Sequence, residues 1–175
     1  MFKKSTILAA AAVGLVGLGS SVAQAAAPTA DEARWELTLG GSGGNDKDFN
    51  DGNVNIDVSV GYYFTDQLEL SVRQNIGYND DWSAATRLAL DYHFSFGQDQ
   101  PVVPFVGIEL GYLYGDDTGD TWAAGPEAGL KFYVNDTTFI FGQVAYQFFF
   151  EDSDDADDAF EDGSFVYSLG IGFRF

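Results

Sequence analysis

Charged side chains inside alternating, strand-like runs are the residues of this chain whose type and spacing could do chemistry. The acids of this set are Glu36, Asp57, Glu69, Asp91, Glu109 and Glu127, and the bases are Arg73, Arg87, Lys131 and Arg174. Their neighbours on the same face are small or polar, so this face points away from apolar surroundings. Buried charges are costly unless they pair. We therefore predict interior ion pairs among Glu69, Arg73, Arg87, Asp91, Glu109, Glu127, Lys131 and Arg174.

His93 is the single histidine of the chain, and a histidine beside Asp91 or a serine could act as a general base. Catalysis of that kind needs a serine, a histidine and an acid in a suitable arrangement, and no spacing in the sequence supports one. The simpler interpretation is an inward-pointing residue near one rim of the fold. We therefore predict no catalytic residue, no cofactor and no enzymatic activity.

An acidic stretch at residues 151–163 is the second place where charge accumulates. Hard divalent cations prefer carboxylate oxygens, and the candidate ligands here are Asp152, Asp154, Asp155, Asp157 and Asp158. Neither this stretch nor residues 46–52 has the spacing of an EF-hand loop. The composition favours a solvated, self-repelling loop, with weak divalent-cation binding as the alternative.

Alternation with a period of two recurs along residues 35–175 and predicts eight strands, because successive side chains of a strand point to opposite faces. One face of the last run holds Phe165, Tyr167, Leu169, Ile171, Phe173 and Phe175. Turns predicted at 65–67, 95–104 and 135–137 would lie at one end, and loops at 40–53, 79–81, 115–121 and 151–163 at the other. An even number of strands with mostly short turns at one end and longer loops at the other is typical of outer-membrane barrels.

The aromatic residues of the apolar face fall at two heights along these strands. One group is Trp35, Phe64, Phe94, Phe132, Phe173 and Phe175, and the other is Tyr78, Trp82, Tyr112, Tyr114, Trp122, Phe148, Phe150, Phe165 and Tyr167. Aliphatic residues lie between the two groups. Two aromatic girdles around an aliphatic band are what a membrane-spanning barrel presents to lipid. The fold class predicted is therefore all-β, an eight-stranded antiparallel up-and-down transmembrane β-barrel.

The interior of such a barrel is predicted to be plugged, because eight strands enclose just enough space for their own side chains. Six acids against four bases leave an excess of negative charge on the inner face. Some of these carboxylates are therefore expected to be protonated, hydrated or close to a mouth of the barrel.

Residues 1–25 have the features of a cleavable signal peptide. Lys3 and Lys4 precede an apolar run at 7–19, and Ala23 and Ala25 provide small residues for cleavage after Ala25. The apolar run is too short for a retained transmembrane anchor, which requires about 20 residues. Residues 26–34 are predicted to be a flexible lead-in, and residues 35–175 the barrel.

Composition excludes several classes of function. The formal net charge is −19, so a nucleic-acid partner is not expected, because phosphate binding requires a basic face. The chain has no cysteine, which excludes a lipoprotein anchor, disulfides and thiolate metal sites.

Over about residues 35–175, the chain resembles the small outer-membrane β-barrel proteins of Gram-negative bacteria, the OmpA-like and opacity-type barrel domains. The segments that carry the resemblance are the signal peptide and residues 104–112, 125–136 and 169–175. The resemblance implies that Tyr167, Leu169, Ile171, Phe173 and Phe175 form the C-terminal signal read by the outer-membrane insertion machinery. It does not include the peptidoglycan-binding domain of full-length OmpA, so cell-wall tethering is not implied.

The function predicted is that of a monomeric integral outer-membrane protein with a structural, envelope-integrity or surface-interaction role. Expected partners are outer-membrane lipid and lipopolysaccharide, the insertion machinery, periplasmic chaperones and, at the acidic loops, divalent cations. A narrow channel for small solutes is the alternative, and a lipid-modifying enzyme is a third hypothesis. At the level of the fold, the rival is a soluble lipocalin-like barrel.

Overall fold

The computed structural model describes residues 27–46, 52–78, 82–94, 101–115, 121–150 and 163–175. Within these ranges the chain forms eight β-strands and no helix. The strands are β1 (Trp35–Asp46), β2 (Gly52–Tyr63), β3 (Leu68–Tyr78), β4 (Trp82–His93), β5 (Val102–Gly115), β6 (Thr121–Tyr133), β7 (Thr138–Phe150) and β8 (Ser164–Arg174). The predicted signal peptide and the candidate cation ligands of the 151–163 loop lie outside the described residues.

The strands form one closed barrel in which each strand pairs antiparallel with the strands before and after it. β8 closes the ring on β1, from Glu36–Arg174 to Asp46–Ser164. A path through paired residues that starts at Phe173 and follows the ring once returns to β8 near Ser164. The strands are therefore staggered and tilted, as closure requires. The predicted eight-stranded up-and-down barrel is confirmed.

Side chains alternate between the two faces of the wall, as the sequence pattern predicts. On β2, Val58 and Val60 are exposed on the outside, whereas Asp57 and Ser59 are buried inside. The outer face is a continuous apolar surface, with Leu169 at 70% exposed and Ile108 at 64%. Exposure of such an apolar surface to water is unfavourable, whereas contact with the hydrocarbon of a membrane is not.

Glycines on the inner face make room for aromatic rings that point into the lumen. Phe141 lies over the facing pair Gly40 and Gly170, where an added Cβ at either glycine would crowd its ring. Phe139 and Phe105 lie over Gly172 and Gly129 in the same way. This packing accounts for Gly40, and β1 continues to Asp46 through a stretch for which the composition predicts a loop from residue 40.

Two prolines occupy strand positions where the hydrogen-bond ladder tolerates them. β5 begins at Val102, so Pro104 belongs to a strand and not to the predicted 95–104 connection. The second proline is Pro126 of β6. Next to it, the β6–β7 ladder is interrupted between the pairs Ala124–Phe148 and Glu127–Ala145. A proline has no N–H to donate, so weak pairing at Pro126 is the expected outcome.

Gln74 is the polar residue that interrupts the apolar face of β3, where the sequence admits a bulge. The pairing of β3 with both neighbours is continuous through Gln74, so no bulge is present there. The side-chain amide instead donates to the Tyr114 hydroxyl at 3.1 Å and accepts from Thr86 at 2.7 Å. This outer-face polar triad satisfies its own hydrogen bonds, which suits it to a lipid-facing surface.

Aromatic side chains border the aliphatic band at both ends of the barrel. Trp35, Phe64, Phe132, Phe173 and Phe175 are exposed around the end where residues 27–34 and the C-terminal Phe175 lie, called here the termini end. At the loop end, Trp82, Tyr112, Tyr114 and Trp122 form a contiguous row with ring centroids 5.1 to 6.2 Å apart. No helix in the described ranges is long and apolar enough to span a membrane.

Candidate functional site: the charged barrel interior

Arg73 of β3 is the centre of one ion-pair network of the interior. Its guanidinium lies 2.6 Å from the Glu127 carboxylate and 2.7 Å from that of Asp91, with Glu109 at 3.8 Å. All three acids are almost fully buried. Because β3 and β6 are three strands apart in a ring of eight, the Arg73–Glu127 pair spans the lumen.

A second arginine extends this network. Arg87 of β4 lies 2.9 Å from Asp57 and 3.7 Å from Glu109, so Glu109 is shared between two guanidinium groups. The Asn75 amide donates to Asp57 at 2.9 Å and to the Ser42 hydroxyl at 2.8 Å. Gln143 and Gln147 donate to Glu127 and Glu109 from β7. Side chains of β1 to β7 thus meet in one polar layer.

Lys131 of β6 is the centre of a second cluster, closer to the termini end. Its ammonium lies 2.7 Å from Glu36 of β1 and 2.9 Å from Glu69 of β3. It also donates to the Tyr63 hydroxyl at 2.9 Å, and that hydroxyl donates to Glu36. The lysine is held over the rings of Tyr63, Phe105 and Phe139 at 5.0 to 5.7 Å from their centroids, in range of cation–π attraction.

His93 is buried beside this second cluster. Its Nε2 lies 3.3 Å from the Tyr63 hydroxyl and 3.4 Å from Glu69, and its ring packs against Phe105. Among the described residues, none of its hydrogen-bond partners is a serine. The ring is 2% exposed and faces the lumen, so it has no contact with lipid.

Arg174 is the basic residue for which an interior ion pair is predicted but a different arrangement is observed. Its two terminal nitrogens donate to the backbone carbonyls of Pro28 and Ala33, both at 2.8 Å. Its guanidinium lies 3.7 Å from the centroid of the Tyr63 ring. No carboxylate of the described residues lies within ion-pair distance of Arg174.

The two clusters leave little free space between them. A cavity of about 30 Å³ remains, bordered by side chains of both clusters, which is room for on the order of one or two water molecules. Four buried carboxylate oxygens lack a hydrogen-bond partner, one each on Asp57, Asp91, Glu109 and Glu127. They mark where the acidic excess of the interior lies. Within the described ranges, no group of acids and histidines is arranged to hold a metal ion.

Comparison with known proteins agrees with this geometry. The sequence model of the outer membrane protein beta-barrel domain matches residues 9–175. The chain belongs to this family. Members of this β-barrel family lie in the bacterial outer membrane, and so does this protein. No curated protein sequence gives a significant match.

Solved outer-membrane barrels have the same fold. The N-terminal β-barrel domain of Pseudomonas aeruginosa OprF matches with a TM-score of 0.59 and 22% identity, over 80% of this chain and 97% of that one. OprG of the same organism matches with a TM-score of 0.59 and 14% identity, over 86% and 97%. Neisserial surface protein A matches with a TM-score of 0.53 and 14% identity, over 81% and 96%. At these identities the likeness shows the fold alone.

The outer-membrane barrel family also gives context to the C-terminal strand. Its predicted signal residues Tyr167, Leu169, Ile171, Phe173 and Phe175 are exposed on the outer face of β8. Phe175 exchanges backbone hydrogen bonds with Trp35 at 2.9 Å in both directions, so the end of β8 pairs with the start of β1. Recognition of this strand by the insertion machinery stays a prediction.

Sequence reasoning missed the part that uncharged side chains play in this site. Alternation puts Tyr63 and Tyr133 on the inner face near the termini end, but does not show that Tyr63 joins Glu36 to Lys131. Residues 27–34, predicted as a flexible lead-in, contact the barrel through Arg174 and Asp66. The signal that was available is the sequence Thr29–Ala30–Asp31–Glu32, which has the spacing of a capping box.

Proposed function

We propose that this outer-membrane barrel is a closed structural element of the envelope, with a role in envelope integrity or in interactions at the cell surface. The observation that supports it best is the pair Arg73–Glu127, which joins β3 to β6 across the lumen at 2.6 Å. The Lys131 cluster crosses the lumen a second time, at a different height. A solute would have to break both sets of charged contacts in order to pass.

The surface role rests on the charge of the loops. Of the 27 acidic residues, eight lie in the stretch 151–163, which the sequence predicts on the external side. Loops of this charge would meet lipopolysaccharide phosphates through bridging divalent cations, because like charges otherwise repel. Outer-membrane lipid, lipopolysaccharide and divalent cations are therefore the partners proposed, with the barrel as a monomer and with no enzymatic activity.

The absence of enzymatic activity is supported by the surroundings of His93. A general base must reach the group from which it takes a proton. His93 instead contacts Tyr63 and Glu69 inside a filled lumen, away from both lipid and external solvent.

Single-channel recording in planar bilayers tests the proposal. The purified barrel should show no stable open level, while a porin inserted in the same bilayers shows its usual conductance. A stable open level of the intact barrel would overturn the closed interior and would favour the narrow channel.

A further inference from the structure

Residues 27–34 cross the mouth of the barrel at the termini end, and we call them the N-terminal strap. At one side, Ala27 packs against a cluster of buried side chains from β5, β6 and β7, which are Val103, Tyr133, Phe139 and Phe141. At the other side, the Ala30 N–H donates to the Asp66 carboxylate in the β2–β3 turn at 2.7 Å. The strap therefore touches two opposite walls.

Arg174 holds the strap from the last strand. Its side chain reaches from β8 to the Pro28 and Ala33 carbonyls, so one guanidinium binds both ends of the strap. The Tyr63 ring supports that guanidinium on one face. The Tyr63 N–H donates to the Arg34 carbonyl at 2.8 Å, which fixes the point where the strap enters β1.

The strap has an ordered local conformation of its own. The Glu32 carboxylate accepts from the N–H and the hydroxyl of Thr29, both at 3.0 Å, and the Glu32 and Ala33 N–H groups donate to the Thr29 carbonyl. The bond from the Thr29 N–H to the Glu32 carboxylate is one of the two bonds of a capping box, and the bonds to the Thr29 carbonyl close a single turn. The bonds from Thr29 lower the pKa of the Glu32 carboxyl, as expected for a carboxylate that accepts hydrogen bonds.

Burial at this mouth indicates a cover. Tyr63, His93 and Tyr133 are the last residues of β2, β4 and β6, and Phe139 is the second residue of β7. An open barrel would expose all four to water at this mouth, yet none is more than 2% exposed. Ala30 and Ala33 of the strap are each 5% exposed. We propose that the N-terminal strap is a built-in closure of the termini-end mouth, latched by Arg174, which shields the Lys131 cluster from periplasmic water.

This closure is a second barrier, in series with the ion-paired interior. Its contacts are backbone carbonyls, one carboxylate and small apolar side chains, and they do not involve Arg73 or Arg87. The strap can therefore prove absent while the ion-paired interior is closed, and the interior can prove open while the strap covers the mouth.

Thiol labelling tests the strap, because the chain has no cysteine of its own. We would place a single reporter at Val103→Cys, beneath the strap, and a reference at Thr137→Cys, in the exposed turn of the same end. A bulky, charged maleimide would be applied to the folded protein in detergent micelles. The reporter should react at least about tenfold more slowly than the reference, because the strap must first open.

Three variants of the reporter chain complete the experiment. Deletion of residues 27–33 and Arg174→Gln should each raise the reporter rate toward that of the reference. Arg34→Gln is the matched control, because Arg34 is an exposed arginine of the strap whose side chain pairs with Asp31, and it should leave the rate unchanged. Near-ultraviolet circular dichroism verifies folding, and the deletion, which leaves every strand intact, decides the matter if Arg174→Gln does not fold. Equal labelling of reporter and reference in the intact chain would overturn the strap, and so would continued protection after the deletion.

Discussion

The Arg73 guanidinium on β3 lies 2.6 Å from the Glu127 carboxylate on β6, across the lumen. The pair is held from several directions, because Asp91 and Glu109 also face the arginine and Gln143 donates to Glu127. Replacing both partners of such a buried pair by apolar groups changes stability little. Removing only one partner leaves a buried charge without its counter-ion. The first three predictions below follow from that asymmetry.

Replacement of the central arginine should destabilise the barrel strongly. Arg73→Met leaves Asp91 and Glu127 without their counter-ion, and we expect a loss of about 3–5 kcal/mol in the free energy of unfolding. Urea unfolding of the barrel in lipid vesicles, followed by tryptophan fluorescence, measures it. Arg34→Gln is the control, because its ion pair with Asp31 is at the surface, and it should not change stability. Equal stability of both variants would show that the interior network does not hold the walls together.

A double-mutant cycle should show that Arg73 and Glu127 act as a pair. Glu127→Gln added to Arg73→Met removes one of the stranded carboxylates, so the double variant should be more stable than the sum of the single losses predicts. We expect a coupling of about 1–3 kcal/mol between the two positions. The same unfolding assay gives all four corners of the cycle. Strict additivity would mean that the 2.6 Å contact has no energetic weight.

The Lys131 cluster should make a variant sensitive to pH. Lys131→Met leaves Glu36 and Glu69 buried without their cation, so the folded variant should bind protons more tightly than the unfolded chain. Its stability should therefore be greatest in acid and should fall as pH rises, more steeply than that of the parent. Adding Glu36→Gln should reduce the slope. Parallel pH profiles for the parent and the Lys131→Met variant would contradict the assignment of these charges to one cluster.

Glycines of the inner face should differ sharply from those of the outer face. A Cβ at Gly170 would lie 2.6 Å from the Gly40 backbone and 2.7 Å from the Phe141 ring, so Gly170→Ala should cost about 1–3 kcal/mol through overpacking. Gly142→Ala is the control, because its nearest contact would be Leu169 at 3.8 Å. It should be neutral or slightly stabilising. Thermal unfolding of both variants checks the difference, and similar melting temperatures would contradict the packing of Phe141 over Gly170.

The outer-face polar triad should behave as a unit. Gln74→Leu removes partners of Thr86 and Tyr114, and we expect a cost on the order of 1 kcal/mol in a bilayer. Thr86→Val added to it should cost little more, because the threonine hydroxyl then keeps only its 3.3 Å contact with the Tyr114 hydroxyl. Unfolding in vesicles measures both changes. A larger stability of Gln74→Leu than of the parent would show that lipid tolerates the triad poorly.

Much of this fold was predictable from the alternation of apolar and polar residues, because the two faces of the barrel wall have different surroundings. On β2, Val58 and Ser59 differ by one position and face different surroundings, so the period of two shows both the strand and its facing. The alternation also placed Glu69 and Lys131 on the inner face. Which acid meets which base depends on register and on the stagger of the barrel, so the contact of Lys131 with Glu36 was not predictable.

The ends of the barrel were harder to predict. The glycines from Gly40 to Gly44 have the composition of a loop, but they belong to β1, and the missing side chain of Gly40 leaves room for the Phe141 ring. Arg174 has the charge of an ion-pair partner, but its position at the mouth puts it next to free backbone carbonyls of the strap. The local sequence around Gly40 and Arg174 does not indicate that the Phe141 ring and the strap carbonyls lie next to them.

The central claim is that hydrocarbon touches one face of every strand, while side chains fill the space behind the other. Nitroxide labels at single cysteines on β2, at Val58, Ser59 and Val60, test it in the barrel refolded into vesicles, since collision rates with oxygen and with a water-soluble nickel complex report the surroundings. We predict high oxygen and low nickel collision rates at Val58 and Val60, and low rates of both at Ser59. Shielding of Val58 and Val60 from oxygen, or access of nickel to Ser59, would contradict the account.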